Sequence, residues 1–407
     1  MQPENAWAEL SSCRMCGWGT FEPVLSLGNM AFTGIFPKLG ENVPRGPLDL
    51  VQCEACHLVQ LGRVYPQDVL YGPTYGYRSG LNPAMVAHLR DIAILAWREM
   101  RFKEKMCVVD IGANDGTLLG FFPESIKRIG IDPLAEKFSE YWPKGSERET
   151  KSFPCRLYWP IDCVTTIACL YDAQNVGEWA RRISEALDDN GIWIAELMLA
   201  EHVLGGAWDQ ICHEHAVYFG ARQIEQMVER VGMYIADAQH TTTNGGSVLF
   251  VFRKGDKPHN WSPPRPPKTW SQLGENIERT CSHLYSGLEN AAKCGQHVIG
   301  YGASTKGNVV LQRARIGPDL LPVILDVNPD KAGRVTPGTN IPIVTSEEEL
   351  QIHLNGDAPD AMLCLPWHFR QNFIEKEADY LKAGGTLVFA LPQFEVVTAR
   401  TLGLEAA

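Results

Sequence analysis

The chain has 407 residues, 45% hydrophobic and 21% charged, which excludes disordered and fibrous classes and is more than one hydrophobic core usually organises. Its 37 basic against 48 acidic residues leave a net charge of −11, which opposes non-specific attraction to phosphate polymers and anionic membranes. Neither nucleic acid nor membrane is an expected partner; a small anionic ligand is compatible, because a local pocket of backbone N–H groups binds phosphate whatever the net charge. No apolar run is long enough to span a bilayer, and the start MQPENAWAELSSC lacks the basic and apolar parts of a secretory signal, so a cytoplasmic location is expected.

Twelve cysteines in a reducing compartment are thiols, and their spacing speaks first to metal. Cys13 and Cys16 stand in CRMC and Cys53 and Cys56 in CEAC, each pair with the two-residue spacer that turns both sulfurs to one ion. Four thiolates leave no open coordination position, so the expected metal is zinc in a structural role. Four buried free cysteines would not require two such pairs. The intervening FEPVLSLGNMAFTGIFPKLGENVPRGPLDL carries few basic residues and reads as scaffold rather than as a nucleic-acid reader. A zinc-binding domain is expected over 1–80. Near its end, Tyr71, Tyr75 and Tyr77 in LYGPTYGYRSG form either packing around the zinc module or one wall of a pocket.

Next, LNPAMVAHLRDIAILAWREM has apolar residues at helical spacing behind an Asn82 cap, and predicts a linker helix over 81–102. MCVVDIGANDGTLLGFF reads as a buried strand, a glycine turn and a helix start, and RIGIDP as the next strand, ending in an acid. DCVTTIACL, GIWIAEL and SVLFVFRK read as further strands, with NVGEWARRISEALDDN an amphipathic helix closed by Asn190-Gly191. A doubly wound α/β domain follows for 103–256. The polar, proline-rich KGDKPHNWSPPRPPKTW marks a boundary. HVIGYGASTKGNVVL then opens a second strand, glycine turn and helix, with LLPVILDVNP and DAMLCLP as later strands of a Rossmann-like unit over 257–407.

In VVDIGANDGTLL the strand delivers Asp110, and Gly112, Asn114 and Gly116, with Asp115 between, let the backbone turn closely past a ligand. A dinucleotide site wants G-x-G-x-x-G to present N–H groups to a pyrophosphate, and this loop lacks that spacing. S-adenosylmethionine (SAM) has no phosphate and tolerates the shorter pattern. Asp132, at the expected end of the second strand, is placed to accept hydrogen bonds from ribose hydroxyls. The architecture expected is α/β: a zinc module, a class I SAM methyltransferase domain and a C-terminal Rossmann-like domain.

QICHEHAVYF concentrates Cys212, His213, Glu214 and His215. A neutral histidine takes a proton near working pH and an adjacent carboxylate orients it; buried, hydrogen-bonded histidines are the plainer reading. Histidines two apart do not make the i, i+4 pair of H-E-x-x-H, so a helical zinc protease site is disfavoured.

With these residues the chain resembles the SAM-dependent sugar C-methyltransferases that act on nucleotide-linked keto-deoxysugars. The likeness runs over nearly the whole length: the C-x-x-C pairs, YGYRSG, the DIGANDGTLL loop, H-E-H, NGGS at 244–247, GYGASTKGN, DVNPDKAGRVTPGTNIPI and LPWHFR. The resemblance implies a three-part enzyme in which a base removes the proton beside a sugar ketone and the enolate carbon attacks the methyl group. By the family pattern His215 is the base and Glu214 its partner, with Tyr75 or Tyr77 hydrogen-bonding the enolate. It also implies a diphosphate-binding turn at GYGASTKGN through Ser304, Thr305, Lys306 and Asn308, with Asp326 on a ribose or base. Asn244, Arg334 and Trp367 are weaker substrate-side candidates, Arg334 reading equally as a solvated charge and Trp367 as core.

Three departures mark a divergent branch with its own acceptor sugar or carbon. Cys212 stands where tyrosine is frequent, ACLYDAQ replaces an asparagine- and histidine-bearing strand end, and NGGS has asparagine where histidine is common. O- or N-methylation of a nucleotide sugar, or non-catalytic binding of SAM or a sugar nucleotide, are the alternatives.

Overall fold

The computed structural model describes residues 7–403 except 73–74, 158–159, 258–260, 263–265 and 267. The N-terminal part holds β1 (Ala8–Glu9), β2 (Phe21–Ala31), β3 (Arg45–Cys53), β4 (Val59–Leu61), β5 (Arg63–Val64) and the short helix α1 (Gln67–Leu70). Along β3 alternate residues Gly46, Leu48 and Leu50 turn inward, the period-two burial of a strand with one covered face. β2, β3 and β4 pair antiparallel into one sheet, and β1 pairs with β5.

Helix α2 (Pro83–Glu99) starts as its sequence dictates: Asn82 Oδ1 accepts from Ala84 N at 2.9 Å, and Pro83 occupies the first turn, where its missing N–H costs nothing. Met85, Leu89, Ile92, Ala93 and Ala96 form one buried stripe. That stripe packs on Val108, Ile192, Ile194, Leu249 and Val251, so the helix expected as a linker is a layer covering one face of the central sheet.

The central sheet uses β6 (Cys107–Ile111), β7 (Lys127–Ile131), β8 (Glu147–Glu149), β9 (Ile161–Ile167), β10 (Leu187–Leu197), β12 (Met233–Thr241) and β13 (Ser247–Lys254); the chain also forms α3 (Val176–Ala186), α4 (Ala200–Gly205), β11 (Val217–Tyr218) and α5 (Ala221–Glu229). Its order is β12-β13-β10-β9-β6-β7-β8, parallel except that β13 runs antiparallel to both neighbours. The order reverses at β6, next to β9. Ligands bind outside the carboxyl ends of strands at such a reversal.

Two local expectations change. After the glycine turn the chain makes only a single 3₁₀ turn, Leu119–Phe121, because Pro123 follows and restricts Phe122 to extended backbone. Helix α3, capped by Asn175 and buried through Val176, Trp179, Ala180 and Ile183, ends at Ala186; Leu187 already pairs with Ile161. Asn190-Gly191 therefore sits in a β10 irregularity and is not the helix cap.

Part of the proline-rich boundary lies outside the described residues. Beyond it come α6 (Trp270–Lys293), opened by a Thr269–Gln272 capping box, β14 (Val298–Tyr301), α7 (Thr305–Arg313), β15 (Ile324–Leu325), β16 (Ile343–Val344), β17 (Ala361–Cys364), β18 (Thr386–Phe389) and β19 (Glu395–Val397). The order β16-β15-β14-β17-β18-β19, with only β19 antiparallel, is that of a second Rossmann-like unit.

The three parts interlock. β11, far along the chain, pairs with β4 and becomes the fourth strand of the N-terminal sheet. Gln312 of α7 bonds both backbone groups of Ala31, and Val335 N donates to Pro37 O at 2.8 Å. Among the described residues, no helix is long and apolar enough to cross a membrane.

Gly130 on β7 leaves room for the Trp142 indole, which also packs on the glycine turn at Gly116; a Cβ at Gly130 would lie 2.3 Å from Trp142 Cη2 and 2.9 Å from Ala113 Cβ. Gly130→Ala is expected to lower stability by about 1–3 kcal/mol, the usual overpacking cost, read as a shift of the urea midpoint. An unshifted midpoint would mean that Trp142 moves aside freely.

Candidate active site and zinc centre

The sulfurs of Cys13, Cys16, Cys53 and Cys56 all lie within 4.8 Å of one another, with Cys13–Cys56 and Cys16–Cys53 both at 3.6 Å. Tetrahedral zinc with Zn–S of about 2.3 Å needs sulfurs about 3.8 Å apart, so the set fits that ion. Each pair closes in the same knuckle: Gly17 N donates to Cys13 O and His57 N to Cys53 O, both at 2.9 Å, and each of these residues takes a left-handed conformation. Between the first two cysteines, Arg14 is buried, its guanidinium donating to Leu61 O at 2.6 Å, to Arg63 O at 2.7 Å and to Gln174 Oε1 at 3.3 Å. The knuckle is thereby tied to β4 and to the central domain.

A cavity opens at the carboxyl ends of β6 and β9, where the sheet order reverses. One side is the glycine turn. Gly112 has φ +75°, and a Cβ there would meet Cys169 at 2.8 Å, so only glycine lets the turn pass this closely. Asp110 is buried, accepts from Thr165 Oγ1 at 2.6 Å and is pushed up to about 7 by burial. Asp132 accepts from Asn114 N at 2.8 Å and Leu134 N at 2.7 Å, which fixes the turn against β7 while its carboxylate lines the cavity. Met85, Leu89, Leu118, Ile131, Leu134 and Phe153 supply apolar surface for a flat ring. The shape and lining fit SAM, which has a flat purine base, a ribose and no phosphate to satisfy.

The opposite side draws on all three parts of the chain: Gln67, Tyr71, Tyr75 and Tyr77 from the N-terminal part, Tyr171, Asp172, Cys212, Glu214, His215 and Asn244 from the centre, and Thr305 and Lys306 from the start of α7. His215 Nδ1 lies 2.7 Å from Gln210 O; a carbonyl only accepts, so Nδ1 carries the proton and Nε2 keeps its lone pair. Its ring packs on Tyr171 with centroids 4.4 Å apart. Burial, and then the charge of Lys306, push its pKa down to about 3, so the ring is neutral. Lys306 makes no hydrogen bond or ion pair among the described residues; burial lowers its pKa, while Asp209, Cys212 and Asp172 work against that. Glu214 is held up by burial, with Thr33 Oγ1 at 3.4 Å from Oε2 and Oε1 unpartnered.

Eight residues marked out in the sequence lie outside the cavity. His213 turns away, its Nε2 at 3.1 Å from Gly46 O and its ring packed on Phe32 and Tyr65. Asp115 holds the tyrosine segment: Gly80 N donates to its Oδ2 at 2.8 Å, as Ser79 N does to Asn114 Oδ1 at 2.9 Å. Gly116 is packed against Pro143 and Trp142. Ser304 caps α7 through Gly307 N, and Asn308 donates to Thr33 O at 2.8 Å. Asp326 locks its own turn through Ala303 N and Asn328 N, both at 2.7 Å, with Lys331 beside it. Arg334 donates to Phe36 O at 2.7 Å, and Trp367 Nε1 to Asp209 Oδ2 at 2.8 Å. In the same unit Pro366 packs against Gly302, its ring 2.5 Å from where a Cβ there would lie.

Residues the sequence did not single out also reach the cavity. Glu196 ends β10, buried, with His88 Nε2 and Thr241 Oγ1 each 2.7 Å from its carboxylate. Gln67, Tyr171 and Asp172 join it. Of these only Asp172 had a usable sign, an acid just past a strand at the sheet's reversal.

Fold and site together define a SAM-dependent methyltransferase with a structural zinc centre. Residues 13–71 match the zinc binding domain family, 86–237 the methyltransferase domain family and 265–392 the C-methyltransferase C-terminal domain family. The chain is 25% identical over 425 residues to C-methyltransferase NovU of Streptomyces niveus, covering 96% of this chain and 98% of that protein. Its domains match, in chain order, those of C-methyltransferases that carry an N-terminal zinc domain, and it is a SAM-dependent C-methyltransferase. Among solved structures, a chain in the complex of the Trm112 methyltransferase activator with a methyltransferase from Haloferax volcanii is similar over 43% of this chain and 95% of its own (15% identity, TM-score 0.36). The 1,6-didemethyltoxoflavin-N1-methyltransferase of Burkholderia thailandensis is similar over 42% and 78% respectively (15% identity, TM-score 0.31).

Because the zinc knuckles anchor both the N-terminal sheet and Arg14, metal analysis of the purified chain should give a single zinc per chain, and Cys53→Ser should lose it with a fall in Tm of at least about 10 °C. A zinc-free chain of unchanged Tm would remove the ion from the architecture.

Proposed function

We propose that the methyl acceptor is a nucleotide-diphosphate keto-deoxysugar and that the methyl group goes to a carbon beside its ketone. The observation that carries this reading is an uncharged histidine and an unpaired cation on one cavity wall: His215, with Nε2 free to take a proton, and Lys306 at the start of α7. SAM, when bound, supplies an electrophilic methyl group.

A C–H beside a ketone is lost readily only if the developing enolate oxygen is stabilised as the proton leaves. His215 Nε2 accepts that proton, and the hydroxyl of Tyr75 or Tyr77 donates a hydrogen bond to the oxygen. Glu214, on the same loop, stabilises the imidazolium that forms. Lys306 and the N–H groups of the first turn of α7 hold the diphosphate. On its own His215 is a weak base, pushed down to about 3 by burial and by Lys306. A diphosphate beside Lys306 offsets that positive charge and raises the affinity of His215 for a proton, so basicity arrives with the substrate.

Incubation with SAM and a panel of keto-sugar nucleotides, with NMR to locate the new methyl group, should give a C-methyl product. His215→Ala should lower kcat by about 10²–10⁴-fold and leave SAM affinity within about twofold. Methylation of a hydroxyl alone would overturn the acceptor, and full activity of the variant would remove His215 as the base.

A further inference from the structure

The acceptor wall contains an acid that the proposed reaction does not use. Asp172 follows β9 at the sheet's reversal and lines the cavity. Its backbone N–H donates to Cys169 O at 3.1 Å, while its side-chain Oδ1 is buried without a partner. The Tyr71 hydroxyl, on the turn that ends α1, is the favourable neighbour that draws the acid's pKa down, and it is itself buried without a further partner. Gln67 Nε2, one helical turn away, is likewise unpartnered and lines the same wall.

A buried polar atom left without a partner is a net cost to the fold, and a buried charge costs more. Here the unsatisfied atoms belong to residues that line a single cavity and come from two parts of the chain. Such an arrangement becomes favourable when a ligand supplies the missing donors. Asp172 lines the same cavity as Glu214 and Lys306, Glu214 pushing its pKa up and Lys306 drawing it down. Burial is the dominant influence and holds its carboxyl well above the ordinary range.

We propose that Asp172, supported by Tyr71, is a specificity-determining residue that accepts a hydrogen bond from a hydroxyl or amino substituent of the methyl acceptor. The inference rests on the keto-sugar reading above. It makes the turn after α1 in the zinc-bearing domain part of substrate selection, and it assigns to this chain an acceptor that carries a donor close to the reacting carbon.

The test uses the full chain with SAM and a matched series of thymidine- and uridine-diphosphate 4-keto-6-deoxyhexoses bearing hydroxyl, amino or hydrogen at carbon 2 or carbon 3. The readout is the ratio of kcat/KM for each donor-bearing sugar to that of its hydrogen counterpart. The natural chain should favour one donor-bearing sugar by about 100-fold, and Asp172→Leu should bring that ratio to within about 3-fold of unity, with SAM affinity by calorimetry unchanged. The hydroxyl and amino arms say which donor is read. An unaltered ratio, or an equal loss on every acceptor, would overturn the subsite and make Asp172 structural. Should Asp172→Leu fail to fold, Tyr71→Phe carries the same test: a change of the ratio by about 10-fold supports the proposal and a constant ratio overturns it. A natural chain that turns over none of these sugars would overturn the keto-sugar reading itself and the subsite with it, a result distinct from turnover without discrimination.

Discussion

The arrangement depends on one short segment, residues 208–218, being held from three sides at once. Asp209 receives the Trp367 indole from the C-terminal unit, and Gln210 Nε2 donates to Asn244 O in the central one. His213 and Glu214 reach Gly46 and Thr33 of the N-terminal part, and Leu61 N donates to Ala216 O just before β11 joins β4. His215 takes its orientation from Gln210 O inside that clamp. A loop secured by one domain would leave the imidazole several torsions of freedom. Here its position is set by the relative placement of all three parts, and the zinc knuckles fix one of them.

The same crowding explains the electrostatics of the cavity. Burial is the leading influence on Asp110, Asp172, Glu214, His215 and Lys306 alike, raising the acids and lowering the bases. In each, burial works against the charged form, and a charged ligand alters several at once.

Sequence pattern reached what is written locally. The C-x-x-C pairs, the cap and stripe of α2, the strand alternation and the D-x-G-x-N-x-G turn are short-range features, and the structure places them as their spacing implies. What it did not reach depends on tertiary packing. The candidate residues of the C-terminal unit are engaged in packing: Asp326 locks its own turn, while Asn308 and Trp367 bond across to other parts of the chain. His213 belongs to a motif by adjacency but faces away from the cavity, since neighbours in a loop need not share a side. His88 and Glu196 meet across more than a hundred residues and carry no local sign of it.

The two sides of the cavity differ in origin. The side that suits SAM is built within the central domain, whereas the opposite side, to which the proposed function assigns the acceptor, is assembled from all three parts of the chain. Changes in the α1 turn or the start of α7 can therefore remodel what is methylated while leaving the methyl donor's seat intact. Such a division of labour lets one scaffold diversify its products without re-inventing its chemistry.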